Sequence, residues 1–158
     1  MAVQYHNRRP ASKEILNSTG VNVTYVWTLK DLLATSEVVS VHVPLSAATH
    51  HFISAPEVAQ MKRGVVFINM ARGPVVDEVV LVAALKSGQV WSAGLDVFEE
   101  EPKVHSGLLE RNINTVLLPH IGTATVGTRR QMEAMMLGNV MSALEKGKLK
   151  TPVPECDK

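Results

Sequence analysis

Apolar residues in this chain follow two alternating rhythms. Short β-branched runs, each closed by a turn-forming residue, are separated by stretches in which apolar positions recur every three to four residues. "AVQYH" (2–6) is β-prone and stops at "NRRP", where Pro10 and two arginines make a turn; "VNVTYV" (21–26) repeats the pattern. "EVVSVHVP" (37–44) reads as a strand buried on both faces, and "GVVFINM" (64–70) as another buried strand. "VWSAGLDV" (90–97) and "TVLLP" (115–119) complete the strands. Between them lie helices with legible ends. Thr28 to Asp31 resembles a capping arrangement that opens "LKDLLATS", and Ser54 with Glu57 does the same for a helix ending near "KRG". Asp77 caps "EVVLVAALKSG", and Gly88 suits its stop. From Thr125 the pattern predicts one long helix. Met132, Met135, Met136, Val140, Ala143 and Leu144 form its apolar stripe, expected to pack as ordinary core, though the methionines also suit an adaptable partner surface. The tail "KLKTPVPECDK" is polar and Pro-rich, hence extended.

Alternating strands and helices predict a parallel α/β sheet with helices on both faces. Ligands in such sheets sit beyond the C-terminal strand ends, which selects Asn7 to Arg9, His42 to Pro44, Met70 to Arg72, Asp96 and His120.

Composition narrows the classes. With 158 residues, one compact domain is expected. Sixteen basic against 15 acidic residues leave a net charge of +1, with no footprint for nucleic acid or an anionic membrane surface. One cysteine, Cys156, cannot form an internal disulfide and fits a reducing, intracellular setting. The longest apolar run, "VVLVAAL" (79–85), is far too short to span a bilayer. No metal site is expected.

Three residues at strand ends carry chemistry. Arg72, just past a buried strand, can pair with a nearby carboxylate or grip a substrate carboxylate by two hydrogen bonds. His120 in "LLPHIG" suits proton exchange near neutral pH, although a lone histidine is more often structural. Glu101 ends the acidic run "EEEP"; folded back onto the imidazole, it would orient the ring and favour its protonated form. "INMARGPVVDE", "SAGLDVFEEEP" and "LLPHIGTAT", in that order and spacing, resemble the D-isomer-specific 2-hydroxyacid dehydrogenases, which include the glyoxylate/hydroxypyruvate reductases. The resemblance runs from Met1 to about Glu155. It implies that Arg72, Glu101 and His120 form a catalytic set reducing a small 2-oxo acid to the D-2-hydroxy acid by hydride transfer from a nicotinamide cofactor.

The same resemblance implies cofactor contacts at Pro44, Thr49, Met70, Ala71, Asp96, Gly122 and Thr123, and dimerisation through the cofactor domain. An acidic residue at the end of the second strand of a dinucleotide fold binds the ribose 2′-hydroxyl. Here that place holds "YHNRRP": Asn7, Arg8 and Arg9 offer no carboxylate and two guanidiniums, which suits a 2′-phosphate and predicts NADP(H) over NAD(H). The family's G-x-G-x-x-G turn is not found in the chain. The expected architecture is therefore a partial Rossmann-like doubly wound parallel sheet lacking its first strand and glycine fingerprint. Residues 1–146 form the partial dinucleotide-binding domain, and 147–158 a tail returning to an absent substrate domain. On this reading the isolated chain has negligible activity, and the strands flanking the missing one face a gap. Those flanks close on each other, another chain fills the slot, or the fragment is poorly stable. The enzyme reading places the chain in the cytoplasm; a second reading is a nucleotide-sensing dimeric interaction protein, since the C-terminal-binding corepressors share this fold and these motifs.

Overall fold

The computed structural model describes residues 1–152, so the last part of the predicted tail, including Cys156, lies outside the described residues. The chain divides into two compact units, Met1–His120 and Ile121–Lys158.

The first unit begins with β1 (Val3–Tyr5), α1 (Lys13–Ser18) and β2 (Val23–Tyr25). β1 and β2 pair in parallel, Val3 opposite Val23 and Tyr5 opposite Tyr25, with the two tyrosine rings edge to face at 5.2 Å. α1 was not expected from the sequence. It has six residues and none is buried, so it leaves no apolar period to read. What defines it is capping: Ser12 Oγ accepts from the Ile15 N–H at 3.4 Å.

α2 (Leu29–Thr35), β3 (Val38–Val41), α3 (Ala55–Gln60), β4 (Val65–Asn69), α4 (Glu78–Ser87), β5 (Val90–Leu95) and β6 (Thr115–Leu117) follow. β3 to β6 form a four-stranded, fully parallel sheet in sequential order. The predicted caps operate. Thr28 Oγ1 accepts from Asp31 N–H at 3.0 Å, Ser54 and Glu57 make a capping box, and Asp77 Oδ1 accepts from Val80 N–H at 3.0 Å. Gly88 ends α4 at φ +72°, a conformation open to glycine without strain.

The core lies where one sheet face meets α2, α3 and α4. Val39, Val41, Phe67, Val90, Ala93 and Leu95 point into it and meet Leu33, Val58, Leu81 and Leu85. The expectation that 37–44 is buried on both faces does not hold. Val39 and Val41 are buried, but Val38 is 50% exposed and Val116 on β6 is 63% exposed. A continuous apolar run cannot say how many of its faces will be covered, and here burial alternates.

β1–β2 and β3–β6 remain separate sheets. The flanks do not close by backbone pairing among the described residues. Side chains link β1 to the segment leading into β3: Gln4 Nε2 donates to Thr35 Oγ1 at 2.9 Å and Ser36 Oγ at 3.2 Å.

The second unit is dominated by α5 (Val126–Lys146), capped by Thr125, whose Oγ1 accepts from Thr128 N–H at 3.2 Å, and closed by Gly147 at φ +65°. The chain then returns along it, with Lys150 and Thr151 N–H donating to Asn139 Oδ1 at 2.8 and 3.0 Å. The expected burial of the apolar stripe is overturned. Met132, Met135, Met136, Val140 and Leu144 are each at least half exposed, and among the described residues of α5 only Ser142 is buried. Helical spacing creates an apolar face; burial requires something packed against it.

Candidate active site

Parallel strands deliver their C-terminal ends to one edge, and the loops leaving β4, β5 and β6 are stitched together there. Asp96 N–H donates to Asn69 O at 3.1 Å, and Leu118 N–H to Leu95 O at 2.9 Å. Asn69, the last residue of β4, is 1% exposed and organises the first loop. Its Oδ1 accepts from Ala71 N–H and its Nδ2 donates to Arg72 O, both at 3.0 Å. The signal for it in the sequence is a polar residue ending the apolar run "VVFIN".

Arg72 stands in extended conformation before a short 3-10 turn, Gly73–Val75. A Cβ on Gly73 would lie 1.8 Å from Phe98 O and 2.5 Å from Glu99 N, so the Arg72 loop runs backbone against backbone on the Glu101 loop. Only glycine permits that approach. Arg72 itself is exposed; Nη1 donates to Ala71 O at 2.7 Å, and no ion pair engages it among the described residues.

Glu101 and His120, 19 residues apart, meet at 2.8 Å through Oε2 and Nδ1. Glu101 Oε1 accepts from Phe98 N–H at 3.0 Å, which fixes the carboxylate's other oxygen. His120 has φ +54°, a left-handed conformation uncommon outside glycine and asparagine. The hydrogen bond from His120 holds the Glu101 carboxyl below the usual carboxylate range, against a smaller opposing push from burial, and the Arg72 charge adds to the lowering. Its ionised form therefore contributes stability above the ordinary carboxylate pKa, a contribution lost as pH falls through the lowered folded-state value.

The other expected positions fall as follows. The Asn7–Arg9 turn lines a shallow cavity and is exposed. Both its ends are anchored: Tyr25 Oη donates to Asn7 O at 2.8 Å, and Ala11 N–H to Tyr5 Oη at 3.0 Å. Thr49 Oγ1 donates to Pro44 O at 2.6 Å and accepts from Ser46 N–H at 2.8 Å, closing the loop after β3. Met70 is 54% exposed, Ala71 packs on the core, and Asp96 is 4% exposed at the end of β5. Gly122 and Thr123 belong to the second unit, where Ala124 N–H donates to Ile121 O at 2.8 Å in a tight turn.

A parallel Rossmann-like α/β sheet with a carboxylate–imidazole pair at its strand ends has the architecture of a dinucleotide-binding oxidoreductase domain. Residues 1–122 match the family described as D-isomer specific 2-hydroxyacid dehydrogenase, NAD binding domain, and the chain belongs to that family. It is 50% identical to 4-methyl-2-oxopentanoate reductase A of Aspergillus oryzae over 155 residues, covering 98% of this chain and 45% of that protein. The crystal structure of a glyoxylate reductase from Paecilomyes thermophila superposes with a TM-score of 0.90 at 48% identity, covering 98% of this chain and 45% of that one. The NADPH-dependent glyoxylate/hydroxypyruvate reductase SmGhrB of Sinorhizobium meliloti, solved with NADP and malonate, gives 0.86 at 36% identity, covering 98% and 46%. The chain thus spans about half the length of the relatives it matches. Among the described residues no helix is long and apolar enough to cross a membrane.

Proposed function

We propose that this chain supplies the proton-transfer and carboxylate-binding groups of an NADP-dependent reductase that converts a small 2-oxo acid, of the glyoxylate or hydroxypyruvate class, to its D-2-hydroxy acid. The observation that carries the reading is the Glu101–His120 pair, anchored by Phe98 and lying within the field of Arg72. The residues present fit part of a dinucleotide: an anchored, exposed pair of guanidiniums after β1, and a buried carboxyl at the end of β5.

A bound nicotinamide supplies the hydride. Arg72 grips the carboxylate and carbonyl of the substrate through its planar fork. As negative charge grows on the carbonyl oxygen, His120 donates a proton to it from Nε2, the nitrogen left free when Nδ1 faces Glu101. Glu101 orients the ring through its contact with Nδ1. In oxidation His120 takes the proton back. The likeness to SmGhrB, a glyoxylate/hydroxypyruvate reductase, and to the Paecilomyes glyoxylate reductase supports this substrate class. The single cysteine supports a reducing, cytoplasmic setting, and homodimerisation follows from the family resemblance.

The test uses a chimera in which this chain replaces the matching segment of the Paecilomyes reductase. His120→Asn is expected to lower kcat by about 10²–10⁴-fold, the usual worth of a positioned general acid. Arg72→Ala should raise KM for glyoxylate and lower kcat/KM, while Glu101→Gln should lower kcat. Undiminished turnover in His120→Asn sinks the assignment. For the cofactor, replacing Arg8 and Arg9 together by alanine should reduce the NADPH-to-NADH preference by at least about tenfold, the worth of one charge-assisted hydrogen bond. An unchanged ratio removes the phosphate-binding role.

A further inference from the structure

Beside the proton-transfer pair lies a second cluster of chemically capable side chains that neither Arg72, Glu101 nor His120 belongs to. His50, His51 and Glu99 each offer one ligand atom, and these atoms lie within 4.8 Å of one another. Around a tetrahedral cation bonded at 2.0–2.2 Å, ligand atoms sit roughly 3.3–3.5 Å apart. Small side-chain rotations therefore close the cluster onto an ion. We propose that His50, His51 and Glu99 bind one divalent transition-metal cation of the zinc class.

The donor set is two imidazoles and a carboxylate, which suits zinc, nickel or copper and disfavours magnesium and calcium, both of which take oxygen ligands. The two rings already stand side by side, with centroids 4.1 Å apart and planes inclined by 30°. His51 Nε2 and Glu99 Oε1 are 2.5 Å apart, so two of the three donors already face each other. His51 holds φ +50°, one of two non-glycine residues in that region among those described; the other is His120. Its backbone is pinned there by its N–H donating to Pro74 O at 2.8 Å. Left-handed backbone at a β-carbon-bearing residue is uncommon, with histidine among the residues that adopt it most readily.

An outer shell is in place as well. Glu99 Oε2 accepts from Glu78 N–H at 3.2 Å, and Asp77 Oδ2 lies 3.9 Å from His51 Nδ1. Such partners orient metal ligands. Further carboxylate oxygen stands close by: Glu99 N–H donates to Glu78 Oε1 at 2.6 Å. His50 is exposed, which leaves an open coordination position facing solvent. An ion at this place clips the loop after β3 to the loop bearing Glu101, two residues beyond Glu99.

The test is calorimetric titration of zinc chloride into the purified 158-residue protein with Cys156 alkylated, to remove the only thiol. One saturable site is expected. His50→Ala, an exposed position whose loss leaves the fold intact by circular dichroism, should weaken it at least about tenfold, and Glu99→Gln likewise. His105→Ala, outside the cluster, should leave affinity unchanged. Cobalt(II) in place of zinc should develop visible absorption bands in the parent protein that His50→Ala loses. The absence of saturable binding, or affinity undiminished in His50→Ala, overturns the proposal.

Discussion

Phe67 on β4 and Met136 on α5 both sit in strongly apolar patterns, yet Phe67 is 0% exposed and Met136 is 61% exposed. The difference is in what meets them. Phe67 occupies the centre of a sheet whose neighbouring strands fix its register and whose inner face is roofed by three helices. Met136 lines an open groove along its helix with Met132, Met135, Val140, Leu144 and Leu149. An apolar period thus marks a surface able to be buried, and burial itself is a property of pairs of elements.

The sharpest way to break that comparison is a matched pair of truncations. Phe67→Ala should cost about 3–5 kcal/mol of unfolding free energy, by lost transfer and a cavity. Met136→Ala should lie within about 0.5 kcal/mol of the parent, as exposed substitutions do. Equal losses in denaturant titrations would show that α5 is packed as tightly as the sheet.

Gly73→Ala is expected to come next, with destabilisation of about 1–3 kcal/mol, because the new methyl meets the Phe98–Glu99 backbone rather than a side chain that can move. Since this contact joins the Arg72 and Glu101 loops, the variant should also lose more turnover than its stability loss explains. A Gly73→Ala protein as stable and active as the parent would place the two loops farther apart.

The smallest effect concerns Glu78, 5% exposed and adjacent to Glu99. Its folded-state pKa is raised, first by burial, so its ionisation opposes folding above that value and not below the ordinary carboxylate range. Glu78→Gln keeps an acceptor for Glu99 N–H and removes the charge. Its melting temperature should exceed the parent's by a few degrees at neutral pH, and the gap should shrink as pH falls toward 4. A gap independent of pH would assign the gain to something other than charge.

Legibility from sequence followed length and chemistry. Runs such as "VVFIN" and caps such as Thr28, Ser54 and Asp77 are local, since a strand's branching and a cap's oxygen act within a few residues. α1 escaped because six exposed residues carry no period. Arg72, Glu101 and His120 stand out in the sequence as candidates through three spaced motifs. The need for Gly73 could not be read that way, because the backbone it approaches belongs to the Phe98–Glu99 loop; Asn69 and the Phe98 N–H act within three residues, on Ala71 and Arg72 and on Glu101, but belong to no apolar period.

The sequence by itself determined the parallel strand–helix alternation, the helix ends and the candidate reacting groups, all set by interactions spanning a few residues. Tertiary structure alone decided that β1–β2 stands apart from β3–β6, that the methionine stripe of α5 is open, and that Glu101 reaches His120. It also brought His50 and His51 to Glu99. These outcomes depend on which backbones pair and which surfaces meet, and contacts across dozens of residues leave no periodic trace in the chain.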